Sequence, residues 1–578
     1  MQAYLQYRRV GNAVRRQLDE YLELSRSHGR KTRNGCSIED GSDTAGEDLQ
    51  QAPQPTCPST WINLGIHVRE IVDSTGSPTR LFLVDWENDH DPLKPSNYSL
   101  PRRISATLIV TALAFVVGAA SSIESGVLPQ NSAAFHVSEV VASLATGIYL
   151  LGFAAGSLVS GPLSEILGRN AVYAGSLTLF MLFVMASGLA PNIGAQLACR
   201  FLAGVFGCPP LTCAGGTVAD LWDPLEKTLA FPLYAILSFG GPVLGPVIAS
   251  YMGQGTLSWR WTNWIILLAS GLVLALVLLF QPETYSPLLL TWKARHLRTL
   301  TGDERYRAEM ELEKTAVFAR IWTACARQVL LTVHEPIILL ISLYMTVLYI
   351  VLFTFFDGYS FIFGDVHGLS QGLTNIVWVA MYAGILLAGL AVPVVYIWTK
   401  REFAQQPTPS DSEAKGGIGA GAGAGAGAAR AQVQVRARPE NRLWFAMLGA
   451  PCIPIGLFWM GWTDYASISI WSPILASAVF GFGTIAVFIS SYMYVIDSYD
   501  IYAASALGFM TVSRYCAAGG MTVVGIPFYA NCGVQYTLTI LGCISAVMTV
   551  VPYVFYRFGG VIRGWSRYAV GSHRKVFV

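Results

Sequence analysis

The chain has 578 residues, of which 53% are hydrophobic and 13% charged, with a net charge of +2. Soluble domains carry about 25% charged residues, so this chain has too little polar surface to hide its apolar residues in a water-soluble core. A charge of +2 gives no footing for a nucleic-acid partner, and ten cysteines without a CxxC pair and eight scattered histidines offer no metal-ligand spacing.

Residues 1–103 are polar and read as a cytosolic tail, largely disordered, with the Gly-, Ser- and Pro-rich stretch 28–60 as its least ordered part. Inside it Tyr7, Val10, Val14, Leu18 and Tyr21 recur at helical spacing beside Arg8, Arg9, Arg15 and Arg16. That spacing predicts an amphipathic helix, either resting on a membrane surface or standing as a solvated tail helix.

From Ile104 onward the apolar runs are long enough to cross a bilayer, which takes about 20 residues. Twelve spans are expected, at 104–124, 140–162, 170–190, 194–217, 228–252, 262–281, 335–357, 372–397, 442–461, 468–495, 501–526 and 534–556. The fold class is therefore an all-α polytopic membrane protein with two pseudo-symmetric six-helix bundles, 104–281 and 335–557. The polar segment 282–334 joins them. A second insertion, 398–441, contains "GGIGAGAGAGAGAA" and reads as a flexible linker. Residues 558–578 form a C-terminal tail.

Basic residues orient the chain. Thirteen Lys and Arg precede span 1, eight lie in 282–333, seven in 398–442 and five after span 12, from Arg557 on. Basic loops stay in the cytosol, so both termini are expected there. The halves also share a signature: "VADLWD" (218–223) ends span 4 and "VIDSYD" (495–500) ends span 10. A repeat of this kind places substrate between the halves near the midplane.

Several residues carry chemistry. Between spans 2 and 3, "GPLSEILGRN" supplies Gly161 and Gly168 for a tight turn, with Glu165 and Arg169 able to meet helix ends or each other. Arg200 lies inside span 4, where a charge costs roughly 2.5–3.5 kcal/mol. Arginine releases no proton near neutral pH, but it can hold a carboxylate ionised. Glu124 at the end of span 1 and Asp357 at the end of span 7 are the candidate partners, in that order. Asp220 and Asp497 fall at the cytosolic ends of spans 4 and 10, as gate or capping residues. Span 5 holds "GGPVLGP", in which Gly241 and Gly245 admit a close neighbour while Pro242 and Pro246 break the backbone ladder. Aromatic residues of span 7, Tyr344, Tyr349 and Phe353 among them, either line a cavity for flat apolar or cationic ligands or serve as lipid-facing and packing side chains. Arg514 in span 11 either pairs with a polar group or lines the cavity.

These motifs resemble those of the major facilitator superfamily, in its twelve-span fungal drug:proton antiporter branch. "GPLSE…GR" is similar to the loop 2–3 latch, although Ile166 and Asn170 stand where basic residues are common. "RFLAGVFG" is similar to the span 4 signature, whose arginine is implicated in proton coupling. "GGPVLGP" resembles the span 5 signature of antiporters. "DWENDHDPLKPSNYSLPRR", "PETYSPLLLTWKARHLR" and "YVIDSYDIYAASALGFMTVSRY" match the branch elsewhere, so the resemblance covers 85–570.

The resemblance implies export of drugs, toxins or fungal secondary metabolites by alternating access. The proton gradient is the driving force, and no cofactor or enzymatic activity is implied. It implies a monomer whose partners are its small-molecule substrate, protons and the lipid bilayer, in the plasma membrane or else the vacuolar membrane. The absence of a GxxxxGK[ST] sequence disfavours direct ATP hydrolysis. A proton-driven importer of polyamines or other organic cations is the alternative within this class. A membrane-embedded transferase would need a clustered polar site that neither His334-Glu335 nor Asp365 with His367 provides.

Overall fold

The computed structural model describes residues 2–33, 65–72, 78–253, 257–312, 317–405, 438–499, 503–566 and 568. The Gly-Ala run and most of 28–60 lie outside the described residues, although helix continues through 28–33. Eleven helices among the described residues are long and apolar enough to cross a membrane. The last of them, Ala503–Trp565, has 63 residues, about 95 Å of helix and far too long for one crossing. It breaks at Gly533, whose φ of 74° and ψ of 165° are non-helical. Its arms, 503–532 and 534–565, are spans 11 and 12, and the total is consistent with twelve.

The other spans are Leu100–Ser122, Glu139–Leu167, Arg169–Gly188, Ile193–Gly207 with Pro209–Leu221, Lys227–Ile248, Trp261–Phe280, Pro336–Tyr359, Trp378–Gln405, Trp444–Gly449 with Cys452–Trp462, and Trp471–Tyr499. Span 4, expected as one helix, is two. Pro209 and Pro210 have no N–H for the carbonyls of Val205 and Phe206, and the chain steps at Cys208. Span 8 runs on to Gln405, so the first residues of the 398–441 insertion are helical. Both termini emerge on one side of the bundle, here the termini face. The opposite side is the far face.

Span 5 packs closely on span 1. A Cβ on Gly241 would run into the backbone of Phe115 and Ala119, and one on Gly245 into Ser122. Pro246 supplies no N–H to the carbonyl of Pro242. The Ser122 hydroxyl donates to that carbonyl instead, at 2.7 Å. The "GGPVLGP" stretch thus gives close approach and a freed acceptor, and span 1 answers both. Between the halves, spans 2 and 11 cross where a Cβ on Gly147 would lie 2.7 Å from the Gly519 carbonyl oxygen.

The N-terminal segment does not stay separate from the 282–334 connection. Helix Gln2–Arg33 lies on helix Ser286–Thr301. Strands β1 (Ile66–Val72) and β2 (Pro78–Val84) pair antiparallel, and β2 pairs in parallel with β3 (Tyr306–Arg307). Val10, Val14, Ile66, Val84, Ala294, Leu297 and Tyr306 form a core distinct from that of the bundle. The helical spacing of Val10 and Val14 was legible, but the apolar stripe is covered by protein rather than by membrane or water. That corrects both readings of the N-terminal helix and the view of the tail as largely disordered.

Burying a valine stabilises by about 1.5–3 kcal/mol. Val14→Asp is expected to release the N-terminal helix, so that peptides from 2–20 exchange amide hydrogens faster while span peptides do not change. Unaltered protection in 2–20 would show that the helix is held by other means. Gly241→Ala should lower stability in detergent by about 1–3 kcal/mol through overpacking. Gly161, expected in a turn, lies inside helix Glu139–Leu167, and Gly161→Ala meets nothing within 4 Å, so it should raise stability by about 0.4–1 kcal/mol.

Candidate functional site

Arg200 sits on the far-face half of span 4 and is 2% exposed. Its Nη1 donates to the Ala120 carbonyl at 2.9 Å, and its Nη2 donates to Asn263 Oδ1 at 3.0 Å and to Glu124 Oε1. Gln196, one turn earlier, donates to the same Glu124 oxygen at 3.1 Å. Tyr149 lies under the guanidinium at 5.9 Å and donates its own hydroxyl to the Val117 carbonyl. Spans 1, 2, 4 and 6 thus converge on one ion pair. Glu124 is 3% exposed, and its Oε2 has no partner among the described residues. A buried pair of this kind costs about 3–5 kcal/mol when one partner is removed, because the other charge is left uncompensated.

Asp357 is placed elsewhere. It is buried on span 7 beside Gly525, with like-charged Glu139 of span 2 acting on it and its Oδ2 unpaired. Arg200's hydrogen bonds reach Glu124 and not Asp357.

At the termini face each half builds the same contact. Arg169 Nε meets Asp220 Oδ2 at 3.4 Å, and Arg442 Nε meets Asp497 Oδ2 at 2.7 Å. The arginine precedes its aspartate by 51 residues in the first half and by 55 in the second. That repeat is the signal that could have singled out Arg442. Arg442 also donates to Thr228 Oγ1 and to the Pro224 carbonyl, so it ties the second half to the first. Gly168, at φ 90°, makes the turn into span 3 where a side chain would strike Leu288 and Glu283. Glu165 is half-buried on the preceding turn, and Gly161 faces open space.

Glu283 was visible only inside a longer matching stretch. Its carboxylate accepts from the backbone N–H groups of Arg169, Asn170, Thr284 and Tyr285 at 2.9–3.2 Å. It caps span 3 at the positive end of that helix. Burial pushes this carboxyl upward, and the four donors oppose that shift. Gln6 of the N-terminal helix bonds both the backbone N–H and the carbonyl of Glu283, so the cap and the 2–3 turn are one assembly.

At the far face Gln371 and Asn375 donate to the Gly126 carbonyl at 2.9 and 3.0 Å, and Gln130 donates to Gln371 at 2.8 Å. The halves are therefore bonded to one another at both faces. Between these contacts lies a cavity of about 40 Å³, room for a few waters and well short of the roughly 300–1,000 Å³ usual for small-molecule sites. Phe153, Thr212, Phe231, Tyr234, Ser238, Phe239 and Pro242 line it from the first half, and Tyr349, Phe353, Phe488, Tyr492, Arg514 and Tyr515 from the second. Of the four expected cavity residues, Tyr344 is not on the wall. It is buried on the side of span 7 that faces Tyr553. The aromatic residues of spans 5 and 10 were missed. The four-residue spacing of Phe488 and Tyr492 puts them on one face, with ring centroids 4.4 Å apart.

Arg514 is 2% exposed. Its guanidinium carbon lies 4.6, 5.5, 5.3 and 4.9 Å from the ring centroids of Tyr349, Phe488, Tyr492 and Tyr515. A desolvated cation–π contact is worth up to about 2 kcal/mol, so several together offset the roughly 2.5–3.5 kcal/mol cost of the charge. None of the described residues lining the cavity is acidic.

The family model of the Major Facilitator Superfamily matches residues 110–523. The MFS-type transporter kojT of Aspergillus flavus is 44% identical over 533 residues, covering 87% of this chain and 88% of that protein. The MFS-type efflux pump MFS2 of Trichophyton rubrum is 33% identical over 430 residues, covering 74% and 67%. Among solved structures, the proton:xylose symporter XylE superposes with a TM-score of 0.56 at 15% identity, over 80% of this chain and 96% of that one, which shows a shared fold. A bundle of long apolar helices, a cavity between its halves and these matches together establish that the chain is a fungal-type membrane transporter, not an enzyme, and belongs to the major facilitator superfamily.

Proposed function

We propose that the protein exports small amphipathic compounds, such as drugs, toxins or a fungal secondary metabolite, in exchange for protons. The observation that carries this reading is the buried Arg200–Glu124 pair, whose Oε2 is left without a partner among the described residues. A carboxylate in that setting is a proton acceptor whose affinity depends on how closely the guanidinium approaches. Movement of the halves changes that approach and so links proton uptake to the exposure of the cavity. The outward direction is supported by the span 5 packing on span 1 and by the similarity to an efflux pump. The concentration of Lys and Arg on the termini face supports a cytosolic location for both termini. The plasma membrane is the proposed site. Import of organic cations finds no support in the cavity, whose fixed charge is Arg514 and whose described lining holds no carboxylate.

The test uses purified full-length protein in liposomes with an imposed proton gradient and a panel of labelled amphipathic compounds. A protonophore should abolish net transport. Glu124→Gln should lower gradient-driven transport by at least about tenfold, a loss of about 1.4 kcal/mol, while exchange of substrate for substrate continues. Net transport at full rate after the gradient collapses would end the coupling proposal. Gradient-driven transport that survives in both Glu124→Gln and Arg200→Ala would remove this pair from the mechanism.

A further inference from the structure

Arg514 differs from Arg200 in one respect. Arg200 has a carboxylate, a carbonyl and an amide oxygen for company. Arg514 has four aromatic rings, a hydrogen bond with the Tyr492 hydroxyl and, at Nε and Nη1, no hydrogen-bond partner among the described residues. Each forked edge of the guanidinium therefore keeps a donor nitrogen to offer. Ser238, on span 5, is a second buried polar group on the wall, with the Tyr234 hydroxyl beside it. The aromatic rings offset the charge, and the hydrogen-bonding capacity of Nε and Nη1 remains for a ligand.

We propose that the central cavity takes a planar organic anion, a carboxylate, enolate or phenolate carried on a conjugated ring. Arg514 supplies the countercharge and in-plane hydrogen bonds. Phe488 and Tyr492, stacked on each other with centroids 4.4 Å apart, supply aromatic contact for the ring. Ser238 and Thr212, on the facing half, supply polar contacts for substituents. The proposal rests on the reading of this cavity as the transported substrate's site. It adds the sign of the substrate's charge, which the transport class leaves open. A cation in the same place meets a fixed positive charge and no described carboxylate on the wall. A neutral molecule leaves the guanidinium edges without a charged acceptor.

Equilibrium binding separates this from the transport mechanism. Purified full-length protein in detergent is titrated calorimetrically at neutral pH with three probes of one shape: naphthoate, naphthamide and naphthylmethylammonium. Naphthoate should bind about tenfold or more tightly than naphthamide, the size expected for a charge-assisted hydrogen bond, and the ammonium should bind weakest. Arg514→Gln should bring naphthoate down to parity with naphthamide while leaving naphthamide binding in place. Arg514→Lys should retain part of the preference. The wild-type comparison stands whether or not Arg514→Gln folds. Equal affinities, a preference for the ammonium, no naphthoate binding by the wild type, or an unchanged preference in Arg514→Gln would each overturn the proposal. Loss of gradient coupling with the anion preference intact would defeat the export mechanism and leave the site assignment standing.

Discussion

The ion pair between Arg200 and Glu124 holds together more of this structure than its two residues suggest. A charge enclosed by apolar helices has to be met within the protein, because neither water nor lipid will meet it. Meeting it fixes span 1 against span 4 at Ala120 and Glu124, and fixes span 6 through Asn263. Span 1 can reach that position only with span 5 behind it. The missing Cβ atoms of Gly241 and Gly245 let the backbones touch, and Ser122 closes the carbonyl that Pro246 leaves open. Charge, glycine and proline are thus three parts of one local solution. None of them makes sense on a helix that faces lipid.

The two faces of the molecule are held by different means. At the far face the bonds between halves are amide side chains on a backbone carbonyl, Gln371 and Asn375 on Gly126. These are neutral and modest in strength, each net worth on the order of 1 kcal/mol. At the termini face Arg442 joins the halves and is itself held by Asp497. Its partner by repetition, Arg169, stays within its own half and pairs with Asp220. The duplication therefore gives each half its own brace, but only the second brace reaches across. Alternating access requires the two sets of contacts to part at different times, and their unequal chemistry suits that.

Helical spans, their order and their apolar lengths were legible because the period of hydrophobicity and the thickness of a bilayer are both local rules. The pairing of Arg200 was narrowed to two acids by the rarity of intramembrane charge. Other features depended on contacts that no local rule reports. Val10 and Val14 show helical spacing, but the helix they meet begins at Ser286. Phe488 and Tyr492 show a face, but what that face looks at is set by the second half's packing on the first. Tyr344 and Tyr349 read alike in sequence, and only the rotation of span 7 sends one to span 12 and the other to the cavity. The proline step in span 4 was written in plain sight, as two consecutive residues without an N–H.

The distance from the ion pair to the cavity is short in bonded terms, and this bears on how one could sense the other. Glu124 follows Ser122 by two residues on span 1. Ser122 donates to the carbonyl of Pro242, and Pro242 is itself part of the cavity wall. A shift of span 1 that drew Glu124 away from Arg200 would pull on the same carbonyl and disturb the wall. It would not leave Arg200 without a partner, since Asn263 belongs to span 6 and does not move with span 1. Deletion of a buried partner is costly because nothing replaces it. Neutralisation of Glu124 by a proton is a smaller change, with the carboxyl still present as a hydrogen-bonding group and two acceptors still on the guanidinium. Loss of that one charge would therefore leave the hydrogen-bonding frame of the site in place.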